Sequence, residues 1–182
     1  MNIEMLSRLA VPKKFSEGAI ICMEGEVGHT AYLLLQGKAE VLLGSFRTEQ
    51  KSVALLSPGV VFGEMSLLED KPRSASVVVT SKEATVLELT KMNFLTILEC
   101  DSEVAFHLLQ TLLERMNNLL KELQYTNNTF VRSIRGDSRY VQISSLTQEQ
   151  FSEIIKKDSS YALTLLKFLS HLLATVDEKA ID

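Results

Sequence analysis

Two hydrophobic patterns divide the chain. From about Phe15 to Leu89, short apolar runs alternate with glycine and proline turn signals. The runs cover residues 19–23, 31–35, 39–43, 53–56, 76–80 and 84–89. Brief β-prone runs separated by turn residues predict an antiparallel β-sandwich or barrel. Glycine reaches positive φ at little cost, so Gln36-Gly37 predicts a hairpin turn.

After these runs the apolar spacing becomes helical. Thr90 or Asn93 can cap a helix through Leu98, and Asp101 or Ser102 can cap a longer helix. The longer helix carries an apolar stripe: Leu109, Leu112, Leu113, Met116, Leu119, Leu120, Leu123, Phe130 and Ile134. A small β-sandwich offers limited surface for such a helix, so the stripe predicts a parallel coiled-coil homodimer through the long helix after Asp101. An ordinary core helix is the alternative. Residues 2–10 predict a further short amphipathic helix.

The C-terminal region repeats part of this helical pattern. A shift of 57 positions aligns a series of apolar and capping residues: Leu89-Thr90 with Leu146-Thr147, Phe94 with Phe151, Ile97 with Ile154, Asp101-Ser102 with Asp158-Ser159, Ala105 with Ala162, Leu108-Leu109 with Leu165-Leu166, and Leu112 with Leu169. The strand predicted at 84–88 aligns with residues 141–145. Residues 136–182 are therefore interpreted as a helical extension that partly repeats residues 84–118, and convergent helix patterning is the alternative. The apolar face of the extension must pack on the first domain or on a partner chain.

Composition indicates a soluble globular chain. The 182 residues are 46% hydrophobic, with a net charge of −4 and a pI near 5.5, which disfavours a broad nucleic-acid-binding face. Residues 136–182 hold five Lys or Arg against seven Asp or Glu, so we expect no DNA partner. No export signal or membrane-spanning run is evident, so we expect a cytoplasmic protein without a membrane partner. Cys22 and Cys100 are interpreted as reduced core residues.

A candidate site lies in two neighbouring segments, Phe62-Gly63-Glu64-Met65-Ser66-Leu67 and Pro72-Arg73-Ser74-Ala75-Ser76-Val77. A cyclic phosphodiester carries one negative charge, so its pocket needs backbone amides and one arginine with its fork of donors. Arg73 and the amides around Met65 and Ser66 can supply these. A ribose hydroxyl needs a carboxylate acceptor, and Glu64 beside Gly63 fits that role. Either charged residue alone would fit a solvated surface turn, but the joint pattern favours a nucleotide-phosphate pocket.

These segments closely resemble the phosphate-binding cassette of cyclic nucleotide-binding domains, as in catabolite activators, cAMP-dependent kinase regulatory subunits and cyclic-nucleotide-gated channels. The resemblance covers residues 1–125 and extends to a set of turn and core positions: Phe15, Gly18, Glu24-Gly25, Tyr32, Gly37 and Ser57-Pro58-Gly59. It implies a mainly β fold with added helices, in which an eight-stranded double-stranded β-helix or jelly roll spans about residues 13–89. Helices at about 90–135 and the extension at 136–182 would follow.

The resemblance also implies a role for each site residue. Glu64 would take the ribose hydroxyl and Arg73 the cyclic phosphate of cAMP or cGMP. The remaining ligand-binding positions would line the phosphate: Gly63, Met65, Ser66, Ser74 and Ala75.

The sequence departs from the family pattern at three places. His29 stands where members often carry Asp and is interpreted as a surface substitution. Ser74 does not decide which base is bound. Leu119-Leu120 occupies the place of the Thr-Ser pair that meets adenine in catabolite activators. Possible base contacts are therefore the neighbouring residues Arg115, Asn117, Asn118 and Leu119, and base selectivity stays open.

We expect a non-enzymatic cyclic-nucleotide sensor, with cAMP as its ligand, that signals through the long helix and the extension to an unknown downstream protein. His107 and His171 lie in helical patterns without a paired nucleophile or metal partners, so we expect no catalytic residue, metal or cofactor. Two alternatives remain open. One is a ligand-free scaffold of the same fold, and the other is a sensor of another anion, such as a cyclic dinucleotide or an organic acid.

Overall fold

The computed structural model describes residues 10–44, 50–123 and 128–181. The chain divides between Thr96 and Ile97 into two compact units. We call residues up to Thr96 the β-roll unit and residues from Ile97 the helical unit. The short helix predicted for residues 2–10 lies outside the described residues except for Ala10.

The β-roll unit contains two four-stranded antiparallel sheets in its described part, with strand orders β1-β8-β3-β6 and β2-β7-β4-β5. The strands are β1 (Pro12–Ser16), β2 (Ile20–Cys22), β3 (Thr30–Gln36), β4 (Ala39–Leu43), β5 (Lys51–Leu56), β6 (Val61–Phe62), β7 (Ser76–Val79) and β8 (Glu83–Thr90). Alternate residues of these strands point to one side and form a buried core that includes Tyr32, Leu34, Val77, Val79, Ala84 and Val86. The predicted jelly roll is confirmed.

The hairpin predicted at Gln36-Gly37 is wrong. This turn joins β3 to β4, which belong to different sheets, so the chain crosses from one sheet to the other. Gly37 has a φ of 89°, and a Cβ there would stand 2.8 Å from Ala84 Cα and 2.7 Å from Ser81 Oγ. Both the backbone angle and the close packing therefore require glycine at this crossing.

The described helices are α1 (Met65–Glu69), α2 (Lys91–Cys100), α3 (Ser102–Glu122), α4 (Asn128–Arg135), α5 (Ser138–Ser144), α6 (Gln148–Lys157) and α7 (Ser160–Ile181). The predicted caps are confirmed. Thr90 Oγ1 accepts from the Asn93 amide at 3.3 Å, and Asp101 accepts from the Glu103 and Val104 amides at 3.1 Å each. In the described ranges, no helix has both the length and the apolar character needed to cross a bilayer.

The apolar stripe of α3 is buried inside the helical unit. Leu109, Met116 and Leu120 are fully buried, and α3 packs against α7 and α6. Leu119 is half-buried, and the Phe130 side chain lies outside the described residues. The extension thus packs on α3 of its own chain, and the homodimer stays a prediction whose proposed contact face is already covered.

Two further expectations are wrong. Residues 141–145 do not continue the repeat as a strand, because Ser138–Ser144 is helical. Asp137 caps this helix by accepting from the Arg139 amide at 2.8 Å, and the buried Tyr140 and Ile143 are three positions apart, which is a helical spacing. Cys22 is buried as expected, but Cys100 is exposed because it ends α2.

Candidate ligand-binding site

The site is built on residues 62–77, which we call the cassette. Gly63 has a φ of 70° and turns the chain after β6, and α1 begins two residues later. The Glu64 carbonyl accepts from the Leu67 and Leu68 amides at 3.0 Å each. Met65, Leu67 and Leu68 are buried, so apolar contacts hold this short helix in place.

Arg73 is a buried cation at the centre of the cassette, with only 6% of its surface exposed. Its Nη1 donates to the Gly63 carbonyl at 2.5 Å. Its Nη2 donates to the Thr30 carbonyl at 2.6 Å and to Thr30 Oγ1 at 3.3 Å. The guanidinium is therefore fixed between the glycine turn and the first residue of β3.

The backbone and the ring beneath Arg73 add to this fixation. The Arg73 amide donates to the Glu26 carbonyl at 2.8 Å, and the Gly25 amide donates to the Arg73 carbonyl at 2.9 Å. The Arg73 Cζ lies 5.6 Å from the centroid of the Tyr32 ring, which stacks on Phe62 at 5.3 Å. A cation over an aromatic face is attracted by the ring quadrupole. Contacts within the chain are thus sufficient to orient the guanidinium.

Two glycines leave room for the guanidinium. A Cβ at Gly28 would stand 2.6 Å from Arg73 Cζ and 2.7 Å from Ser66 Cβ. A Cβ at Gly63 would stand 2.6 Å from Arg73 Nη1. Gly28 does not have a positive φ, so its requirement for glycine is purely steric. Any side chain at either position would displace Arg73.

The charges of the site suit an anionic ligand. Glu64 is also buried, at 7% exposure. Among the described residues, Arg73 forms no salt bridge, and its side chain donates only to neutral oxygens. A buried cation with neutral partners carries a desolvation cost that an anion can offset. Burial raises the pKa of the Cys22 thiol, and the positive charge of Arg73 acts in the opposite direction.

The structure brings some predicted site residues together. Five of them lie in the cassette and are buried or half-buried: Gly63, Glu64, Met65, Ser66 and Arg73. Ser74 is exposed, and Ala75 is half-buried.

The possible base contacts lie on α3, in the helical unit: Arg115, Asn117, Asn118 and Leu119. Asn117 Oδ1 accepts from the Tyr140 hydroxyl at 2.8 Å. Their role toward a base stays a prediction.

Sequence reasoning missed two residues of the site. Thr30 acts mainly through its backbone carbonyl, which residue type does not reveal. Gly28 offered a signal in the sequence, because it precedes His29, a position where the chain departs from the family pattern. Its steric contact with Arg73 depends on the three-dimensional fold and is not visible in the sequence. His29 is exposed, as a surface substitution would be. In the part of the chain that the structure describes, His, Cys, Asp and Glu side chains form no cluster of three that could hold a metal ion.

Comparisons with known proteins point to one family. Residues 12–101, about half of the chain, match the model of the family described as cyclic nucleotide-binding domain. The chain is 43% identical over 82 residues to a cAMP-dependent protein kinase regulatory subunit from Colletotrichum orbiculare, covering 45% of this chain and 20% of that protein. It is 32% identical over 109 residues to a cyclic AMP receptor protein from Thermus thermophilus, covering 60% and 50% of the two chains.

A solved structure supports the fold. A transcriptional regulator from Thermotoga maritima matches with a TM-score of 0.61 at 18% identity, covering 71% of this chain and 100% of that one. This match concerns the fold alone. The chain spans half or less of the length of the two curated relatives above.

Proposed function

Since residues 12–101 of this chain belong to the cyclic nucleotide-binding domain family, we propose that the protein is a regulatory sensor whose β-roll unit binds a cyclic nucleotide. The observation that carries the proposal is the buried guanidinium of Arg73, held by the Gly63 and Thr30 carbonyls, together with the burial of Glu64, the residue that follows Gly63. This arrangement places one cation and one carboxyl within a single cassette.

In this proposal Arg73 binds the cyclic phosphate and Glu64 accepts from the ribose 2′-hydroxyl. The guanidinium has five N–H donors, and those that do not bond to the Gly63 and Thr30 oxygens can donate to a phosphate. A carboxylate forms a charge-assisted bond with a hydroxyl. Gly63 and Gly28 let the ligand and the guanidinium approach the backbone closely. When bound, the ligand supplies one negative charge to offset Arg73.

We take cAMP as the ligand, because both curated relatives described above are named for it. The protein would bind this nucleotide without converting it. Incubation followed by chromatography should therefore recover cAMP unchanged, and conversion to another nucleotide would contradict a purely regulatory role.

The proposed signal leaves the cassette through α2. Asp70, the residue after α1, pairs with Lys91, the first residue of α2, with 2.5 Å between Lys91 Nζ and Asp70 Oδ1. Helix α2 then continues across the boundary between Thr96 and Ile97. A ligand that favours one position of the cassette can thus bias the start of the helix that leads into the helical unit.

Isothermal titration calorimetry with cAMP and cGMP tests the phosphate assignment. Arg73→Ala removes a charged donor, and a charged hydrogen bond contributes about 1.5–3 kcal/mol, so affinity should fall about 10- to 150-fold. Arg132→Ala, at an exposed arginine of α4, is the matched control and should bind as the wild type does. Equal binding by the Arg73 variant and the wild type would overturn the assignment.

A thermal-shift panel separates the remaining functions. Only a ligand that binds the folded state raises the melting temperature. A shift with cAMP supports the proposal. A shift with a cyclic dinucleotide or an organic acid alone would assign another anion, and no shift with any compound, together with no heat of binding, would leave a ligand-free scaffold.

A further inference from the structure

The repeat seen in the sequence alignment is also present in the helices of the structure. Displacing the bounds of α2 by 57 residues gives Gln148–Lys157, which are the bounds of α6. Displacing the first residue of α3 in the same way gives position 159, one residue before α7 begins. Helices α2 and α6 therefore coincide at both ends, and α3 and α7 coincide to within one residue at the start and two at the end.

The hydrogen bonds that start these helices are repeated as well. Thr90 Oγ1 accepts from the amide three residues later at 3.3 Å, and so does Thr147 Oγ1. Asp101 Oδ1 accepts from the amide two residues later at 3.1 Å, and Asp158 Oδ1 does so at 3.0 Å. Convergent apolar patterning alone would not reproduce both polar caps at equivalent positions.

Burial follows the same register along the long helices. Six buried positions of α3 coincide with six buried positions of α7: Ala105 with Ala162, Leu108 with Leu165, Leu109 with Leu166, Leu112 with Leu169, Leu113 with Ser170, and Met116 with Leu173. These helices pack against each other. The face of α3 thus binds a near copy of itself.

We propose that α6–α7 is an internal copy of α2–α3, and that α7 occupies, within one chain, the face of α3 on which α3 of a second copy of the chain would otherwise pack. A face that binds a near copy of itself is self-complementary, which is the requirement for a two-fold dimer contact. A covalently linked copy acts at an effective concentration on the order of millimolar, so it displaces a second chain. The full chain is therefore a monomer at this face.

A contact outside the repeat favours the internal copy over a second chain. The Arg139 guanidinium of α5 lies 4.3 Å from the centroid of the Phe168 ring on α7. Helix α5 has no helical counterpart before α2, where the chain forms β8 instead. A second α2–α3 pair would therefore have to forgo this contact. The contact between the Phe106 ring of α3 and the Phe151 ring of α6, at 5.4 Å, does not discriminate, because Phe94 is the equivalent of Phe151.

Light scattering on the full chain tests the proposal. Leu169→Glu places a charge at a fully buried position of α7, which should release α7 and double the mass by exposing α3 to a second chain. Thr164→Glu, which places the same residue on the exposed side of α7, is the matched control and should stay monomeric. Adding Leu112→Glu, at the equivalent position of α3, to Leu169→Glu should return the mass to that of a monomer.

Leu169→Ala is a milder second variant, because it weakens the packing of α7 without burying a charge. It tests the proposal if Leu169→Glu does not fold. It should give a mass that rises with concentration while circular dichroism remains helical. A wild-type dimer, a folded monomer for both Leu169 variants, or a dimer that persists in the double variant would each overturn the proposal.

Discussion

The two units bury different kinds of residue. Among the described residues, five polar or charged side chains are buried, and four of them, Glu64, Ser66, Arg73 and Ser76, lie in the cassette of the β-roll unit. The helical unit contributes only Ser170 to this set. The β-roll unit therefore carries the polar chemistry, while the helical unit is organised by apolar packing.

A buried polar site and an apolar stripe specify different things in a sequence. A polar site needs particular residue types at fixed positions, because a buried charge without suitable partners is costly. An apolar stripe indicates that a helix packs against another element, but it does not identify that element. Variants in the β-roll unit should therefore change ligand affinity, and variants in the helical unit should change stability and association.

The largest expected effect is at the crossing between the sheets. Gly37→Val should lower the free energy of unfolding of the β-roll unit by about 2–4 kcal/mol, since it adds steric overlap to an unfavourable φ. Gly18→Val is the matched control, because Gly18 has a φ of 77° but no atom within 4 Å of an added Cβ. Urea denaturation measures both, and equal losses would show that packing at Gly37 contributes nothing.

Gly28→Ala comes next and tests the space around the guanidinium. The added Cβ would overlap Arg73 and Ser66 without backbone strain, and such overpacking costs about 1–3 kcal/mol. We expect calorimetry to show cAMP affinity lower by about tenfold. His29→Ala, at the exposed neighbour, should bind as the wild type does. If the two variants bound equally, the glycine would not position Arg73.

Glu64→Gln should weaken cAMP binding by about 1–2 kcal/mol, because it removes the charge from the proposed ribose contact. The assignment can be tested with 2′-deoxy-cAMP, which lacks the hydroxyl. Wild type and Glu64→Gln should bind this analogue with similar affinity, whereas Glu99→Gln, at an exposed position of α2, should retain the wild-type preference for cAMP. A preference for cAMP that survives in the Glu64 variant would assign the hydroxyl to another residue.

Tyr140→Phe is expected to have the smallest effect, a loss of about 1 kcal/mol of stability, because it removes the hydrogen bond to Asn117. Burial raises the pKa of the Tyr140 phenol, so the folded state keeps this proton at higher pH than the unfolded state. The associated stability is present below the unfolded pKa and is lost as pH rises through the folded one. Melting temperatures on the alkaline side should fall more for wild type than for Tyr140→Phe, with the exposed Tyr161→Phe as control.

Many of the secondary-structure elements of the two units could be predicted from the sequence. Turn residues between β-prone runs predicted an antiparallel β-sandwich or barrel, and the family resemblance implied the jelly roll. Thr90 and Asp101 predicted the helix starts, because capping signals act over a few residues. The strand predicted at 141–145 failed because a short apolar alternation fits both periods, and the Asp137 cap decides for the helix. The Gln36-Gly37 hairpin failed because a local turn signal does not show which strands pair.

The cassette could be located for the same local reason, but its internal geometry could not. The bond from Arg73 to the Thr30 carbonyl spans 43 positions and involves no side chain of the acceptor. The helix that packs on the apolar stripe of α3 could not be predicted either. An apolar stripe alone does not distinguish α7 of the same chain from α3 of a second chain.

The ring beneath Arg73 has an optical consequence. The chain contains four tyrosines and no tryptophan, so its intrinsic emission comes from tyrosine when the tyrosine absorption band is excited. Tyr32 is the tyrosine whose ring lies under the guanidinium. In the proposed complex, a phosphate bonded to the guanidinium should alter the quantum yield of that ring, so we expect tyrosine emission to report occupancy of the cassette without a label.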